Sequence, residues 1–326
     1  MQHLKSLLFC LALALLVSCV NERVINRGTL ESNTDSLCLI QINTEPLSGT
    51  VLGIFCTEDY LVFSLQNPEF CFAALPLSFD RTPFYFGRIG RGPGEMIHPD
   101  FKSIQTSVGN SFSVFDSGRF KTVSLADGEA VVTISEEELG ISGPFNGMQR
   151  FGDGHIDIDI NMQEGSSDYE FVRYDADGEI STFLSKYPNW AGESENKLFC
   201  YIKNFVTSDD GRFLASFYGH FPCARFIDET NNRIHTVRLD LPQESGDVLS
   251  RRCYVGRPFV DGDSVSALYQ TEKNSEVHKW TWDGSFISRT VLSQRVSFFC
   301  YSPDRKRLFA WAGDTEQLYT SYARAD

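Results

Sequence analysis

The sequence predicts an all-β chain, a six-bladed β-propeller closed by an N-terminal strand pairing with the last blade. Three observations carry that reading. Aromatic residues make up 13% of the chain against four Met, with 25 Gly, and the aromatic and β-branched residues fall in short runs between Asp/Gly turns. That is the make-up of pleated strands joined by hairpins. One turn then recurs just before a hydrophobic run, as Glu58-Asp59, Gly109-Asn110, Asp153-Gly154, Asp210-Gly211, Asp261-Gly262 and Asp304-Arg305, at intervals of 51, 44, 57, 51 and 43 residues. Four-stranded propeller blades repeat at about 40 to 50 residues. Finally, the last period holds only three strands, Val296–Tyr301, Arg307–Ala312 and Gln317–Tyr322, while an alternating run, Leu37–Asn43, precedes the first period. A ring must seal its strand edges, and pairing the two chain ends in one blade does so.

In chain order, residues 1–18 read as a lipoprotein export signal. Lys5 supplies the positive start, and Leu7–Val17 is an eleven-residue apolar run, about half the length needed to span a bilayer core. The run ends in Leu16-Val17-Ser18-Cys19, which resembles the bacterial lipobox and makes Cys19 the expected lipidation site. Acyl chains there would hold the protein to a membrane at about 0.8 kcal/mol per buried CH₂. Val20 rather than Asp follows Cys19, which by analogy with lipoprotein sorting points to the outer membrane, with the periplasmic or surface side left open. Residues 19–35, polar and without a helical period, read as a lipidated tether, and residues 36–326 as the propeller. A net charge of −14 argues against nucleic acid, whose phosphates need a basic face.

Within the propeller, a second set of turns supplies another hairpin per period: Phe115-Asp116-Ser117-Gly118, Tyr174 to Gly178, Ile227 to Asn232 and Trp282-Asp283-Gly284. Positive φ is cheap at such Gly and Asn positions. Helix is nearly absent, and Ser135–Glu138 reads as a capped turn before Leu139. The segment GRIGRGPGE, Gly87 to Glu95, resembles the glycine-rich signature of the TolB-like six-bladed β-propeller lipoprotein family of gut Bacteroidales, and the strand pattern of Phe112–Val123 accompanies it. The resemblance implies the propeller and the lipid anchor, and it brings no catalytic residues with it.

That segment falls in the connection from the first blade to the second. Arg88 and Arg91 place permanently charged forks there, suited to carboxylate, sulfate or phosphate, with Glu95 able to orient one of them. Arg251 and Arg252 occupy the equivalent connection between the fourth and fifth blades. These five residues are the candidate ligand-binding set for an anionic small molecule, glycan or protein segment, unless the arginines pair with the surplus carboxylates. In the alternating run His155, Asp157, Asp159, Asn161, one strand face carries four polar residues. They are too widely spaced, at about 7 Å, for one cation, so a wetted face is expected. Trp190, beside Tyr187-Pro188-Asn189, could stack on a sugar or simply pack. The cysteines at 38, 56, 71, 200, 223, 253 and 300 form no CxxC pair and read as core residues. No cofactor is implied. The expected function is a non-enzymatic binding or scaffold module with its ligand at the channel mouth. The alternative is a glycan hydrolase or lyase using carboxylate or His residues in the channel.

Overall fold

The computed structural model describes residues 21–126, 129–139, 141, 145–160, 168–192, 196–241 and 247–322. The export signal, Cys19 and Asn161 lie outside the described residues. Ahead of the first blade come strands β1 (Asn21–Ile25), β2 (Thr34–Leu37) and β3 (Ile40–Ile42), with helix α1 (Arg27–Ser32) between the first two. Blade 1 contains β4 (Thr50–Cys56), β5 (Tyr60–Gln66), β6 (Phe70–Pro76) and β7 (Phe84–Arg88). Blade 2 contains β8 (Pro99–Thr106), β9 (Ser111–Asp116), β10 (Arg119–Ala126) and β11 (Glu129–Glu138). Blade 3 is β12 (Gln149–Phe151), β13 (Gly154–Ile158), β14 (Tyr169–Tyr174) and β15 (Ile180–Lys186). Helix α2 (Lys197–Cys200) precedes blade 4, which is β16 (Lys203–Thr207), β17 (Phe213–Tyr218), β18 (Cys223–Asp228) and β19 (Arg233–Leu239). Blade 5 has β20 (Tyr254–Asp261), β21 (Ser264–Gln270), β22 (Ser275–Thr281) and β23 (Phe286–Leu292). Blade 6 has β24 (Phe298–Tyr301), β25 (Arg307–Ala312) and β26 (Gln317–Tyr322), and β3 completes it by pairing antiparallel with β26. The predicted six-bladed ring and its closure by an N-terminal strand are therefore present.

All six recurring turns join the first and second strands of their blades. In the second set, three turns join third and fourth strands, whereas Phe115–Gly118 joins β9 to β10, the second strand to the third. The turn expected at Ser135–Glu138 is instead the end of β11, held in register by β10 as far as the Arg119–Glu138 pair. The first strands touch one another around the axis, and the core lies between blades, with one apolar cluster at each of the six junctions. Trp280, Phe226 and Phe217 fill the junction of blades 4 and 5, and Phe72, Phe86 and Phe112 that of blades 1 and 2. Six of the seven described cysteines are buried, and Cys38 is exposed. No helix among the described residues is long and apolar enough to cross a membrane.

Residues 21–35 do not form the expected free tether. Strand β1 adds in parallel to the outer edge of blade 4, β2 adds in parallel to the outer edge of blade 5, and β3 follows on blade 6. Backbone ladder bonds need no apolar side chains, so a polar segment can still close an exposed edge. Between β1 and β2, Asn26 caps α1 by accepting the Thr29 N–H at 2.9 Å, and Leu30, 1% exposed, enters the junction of blades 4 and 5 beside Ile25. The segment is a belt across the outer edges of blades 4 and 5. Leu30→Ala should cost about 2–5 kcal/mol in urea denaturation, and an unchanged midpoint would show that the belt stands outside the cooperative unit.

Candidate functional site at the channel mouth

Strand direction alternates within each blade, so the two ends of the ring differ. Connections between blades, together with the turns between second and third strands, share one end, the mouth face. The first–second and third–fourth turns share the other. Innermost strands therefore start at the mouth face, and three of them break register after their second paired residue. The breaks fall between Val51 and Gly53 in β4, between Asp100 and Gln105 in β8, and between Val255 and Phe259 in β20. A bulge bends its strand and re-aims the extra residues. Leu52 from the first bulge and Phe101 and Lys102 from the second line a cavity of about 520 Å³ that also touches His98, Phe145 and Asn146.

One polar cluster supports this cavity. Lys102 Nζ donates to Asn146 Oδ1 at 2.8 Å, and burial lowers the Lys102 pKa against the opposing pull of Asp100 and Asp157. Asp100 accepts the backbone N–H groups of Lys102 (3.0 Å), Gly147 (2.5 Å) and Met148 (3.2 Å), tying the next inter-blade connection to blade 2. Asp157 accepts from Ile158 N at 2.8 Å and Asn146 N at 3.1 Å. Burial, and after it the charge of Asp100, pushes the Asp157 carboxyl up to about 8.

Arg88 and Arg91 are both exposed on the mouth face, as is Arg252. Among the described residues no carboxylate lies within ion-pair distance of these three, so the expected alternative of pairing with surplus acids is not realised for them. Glu95 does not orient an arginine. It folds over its own loop to accept the Gly92 N–H at 2.6 Å, against Gly90, where any Cβ would collide with its carboxylate. Beneath the loop, the buried Lys121 donates to the Glu95 carbonyl and to Asp116, each at 2.6 Å, and Asp116 accepts the His98 N–H at 2.6 Å. Arg251 is half-buried, its carbonyl 2.8 Å from His220 Nδ1. The junctions of blades 1/2 and 4/5 lie on opposite sides of a six-membered ring, so the two arginine pairs share a face without converging.

The alternation of His155, Asp157 and Asp159 is real, but that face is not wetted: all three are buried. His155 stacks on Phe120 of blade 2 at 5.4 Å, while Ile156 and Ile158 face the blade 3/4 core. No cluster of potential metal ligands occurs among the described residues. Trp190 packs: its ring lies 4.9 Å from Tyr218 and beneath the Arg225 guanidinium. Sequence reasoning missed a set of apolar residues left exposed on the mouth face, Leu52, Ile89, Ile97, Phe199, Ile202 and Leu249. Such residues beside unpaired charge are the ingredients of a recognition surface. A larger cleft of about 710 Å³ opens on the opposite face between blades 1 and 6. There Asp80 and Asp304 are occupied by Ser78 and Ser302 within their own turns.

No family model and no curated protein matches the chain. Among solved structures, the chain is similar to a protein of Bacteroides fragilis assigned as exported, with a TM-score of 0.53 and 10% identity over 93% of this chain and 100% of that one. A luciferin-regenerating enzyme is similar at a TM-score of 0.48 and 11% identity, covering 88% of this chain and 95% of its own. Hydrazine synthase of Kuenenia stuttgartiensis gives 0.48 and 12%, covering 88% and 99%. Identities this low speak to the fold alone.

Proposed function

We propose that the protein is a lipid-anchored cell-envelope propeller of the TolB-like kind, a non-enzymatic binding module that takes an anionic small molecule, glycan or protein segment at its channel mouth. One observation carries this reading: Arg88, Arg91 and Arg252 stand exposed on the mouth face, with no ion pair among the described residues, in a chain where acids outnumber basic residues 43 to 29. Cys19 precedes β1 by two residues, so a lipid there would sit within about 7 Å of the rim at ~3.3 Å per residue. Asn21 pairs with His235, just past the third–fourth turn of blade 4 and on the face away from the mouth. Anchoring at that edge points the mouth away from the bilayer and toward whatever approaches in solution.

Two measurements test this. Cys19→Ala should move the protein from the membrane fraction to the soluble fraction, and retention in the membrane fraction would overturn the anchor. A screen of anionic glycans and carboxylates should yield a ligand whose affinity falls about tenfold in the Arg88→Ala/Arg91→Ala variant with no loss of thermal stability; unchanged affinity removes those residues from the site. Glycan hydrolysis or lysis remains the second reading because of Asp157, a carboxyl with a raised pKa beside Asp100. Asp157 is only 2% exposed and sits behind the Asn146 backbone, a position that favours binding over chemistry.

A further inference from the structure

We propose that the channel holds a small oxyanion, a carboxylate, sulfate or phosphate group, on the guanidinium of Arg257. The proposal deepens the binding role above and rests on it. Arg257 stands in the register break of β20, between Val255 and Phe259. Among the described residues it has no hydrogen bond and no ion pair, and its Nε is sealed from solvent without an acceptor. Three other buried cations are matched by carboxylates: Lys121 by Asp116 at 2.6 Å, Lys203 by Glu170 at 3.1 Å, and Arg225 by Glu170 at 2.6 Å; Lys102 at least donates to Asn146 Oδ1 at 2.8 Å. In a chain with 43 acidic residues, a guanidinium with a sealed Nε and none of the described carboxylates against it is conspicuous. Burial pushes its pKa down to about 10 with no carboxylate to offset it. Buried polar groups are almost always satisfied, and an uncompensated buried charge is costly. An acceptor from outside the chain supplies what is missing.

The register places that acceptor. Lys102 in β8 and Arg257 in β20 each stand two residues past the last pair before the register break, and Lys102 lines the mouth cavity. Blade 5 is three positions from blade 2, so Arg257 and Lys102 approach the axis from opposite sides. Arg257 is deep enough for burial to dominate its charge, yet it is only half-buried by exposure. A guanidinium offers two parallel donors matched to the spacing of carboxylate, sulfate or phosphate oxygens.

Thermal unfolding with inorganic phosphate, sulfate and succinate, each against chloride at matched ionic strength, tests the proposal on the full chain. At least one oxyanion should raise the midpoint of the wild type in a concentration-dependent way. Arg257→Gln should raise the midpoint without any anion, by removing an uncompensated charge, and should lose the oxyanion response. Lys306→Ala, a change in an exposed turn on the face away from the mouth, should keep that response. Arg257→Lys, which retains charge but not the fork, should weaken the apparent affinity about tenfold and covers the case in which Arg257→Gln fails to fold. A wild type that responds no more to oxyanions than to chloride, or an undiminished response in Arg257→Gln, overturns the site. A response lost in Arg88→Ala/Arg91→Ala but kept in Arg257→Gln would overturn it too, while placing the anion on the rim and leaving the broader binding role standing.

Discussion

Glu170→Gln should destabilise the protein by about 3–5 kcal/mol, the cost of stranding buried charge. Glu170 is fully buried on β14, and both of its oxygens are engaged. Oε1 accepts from Tyr218 Oη at 2.7 Å and lies 3.1 Å from Lys203 Nζ, while Oε2 accepts from Arg225 Nη1 at 2.6 Å and Ser185 Oγ at 2.7 Å. Burial alone would push its pKa up, but Lys203 and Arg225 outweigh burial and hold it below the usual carboxylate range. The amide keeps the shape and loses the charge, leaving two cations in a pocket roofed by Tyr187 and Trp190. Urea denaturation gives the measurement: the midpoint should fall with the m-value unchanged. Adding Lys203→Met should recover part of the loss by removing one stranded charge. A loss below about 1 kcal/mol would mean that water reaches the cluster and screens it.

What the sequence disclosed follows from the range of the interactions involved. The first–second turns were legible because each is local: Asp210 accepts from Ser208 Oγ and Arg212 N, and Asp304 does the same with Ser302 and Lys306. The missing strand was legible because a ring with an open blade is physically unacceptable. The belt was not, because NERVI and TDSL pair with β19 and β23 mainly through backbone, more than two hundred residues away along the chain. For His155, Asp157 and Asp159 the period gave the common face, but whether that face meets water or blade 2 depends on packing between repeats. Of the candidate site, the exposure of Arg88 and Arg91 was legible in the sequence but not the fate of Glu95, whose carboxylate is held by its own loop. Arg257 carried a signal that went unread: Gly256 and Pro258 interrupt an apolar strand around it, and such residues inside a strand mark a bulge.

Asp157→Asn should flatten the alkaline side of the stability profile. The Asp157 carboxyl has a pKa of about 8 in the folded protein against 3.8 as its ordinary value, chiefly through burial and then through the charge of Asp100. The folded state therefore keeps a proton that the unfolded chain releases. That contribution is complete below about pH 4 and is lost as pH rises toward 8, at no more than about 1.4 kcal/mol per pH unit for a single proton. Asparagine can still accept the Ile158 and Asn146 N–H groups and has no proton to lose, so the variant should gain on the wild type steadily between pH 4 and pH 8. The difference between the two urea-denaturation profiles isolates this residue from the other titrating groups. Equal slopes would show that Asp157 is ionised in the folded protein at neutral pH, with Lys102 as its counter-ion. The same substitution bears on function, because an amide cannot deliver a proton. A glycan-cleaving activity that survived it would remove Asp157 from any catalytic role, and an activity that vanished with stability intact would turn the buried carboxyl into the general acid of the channel.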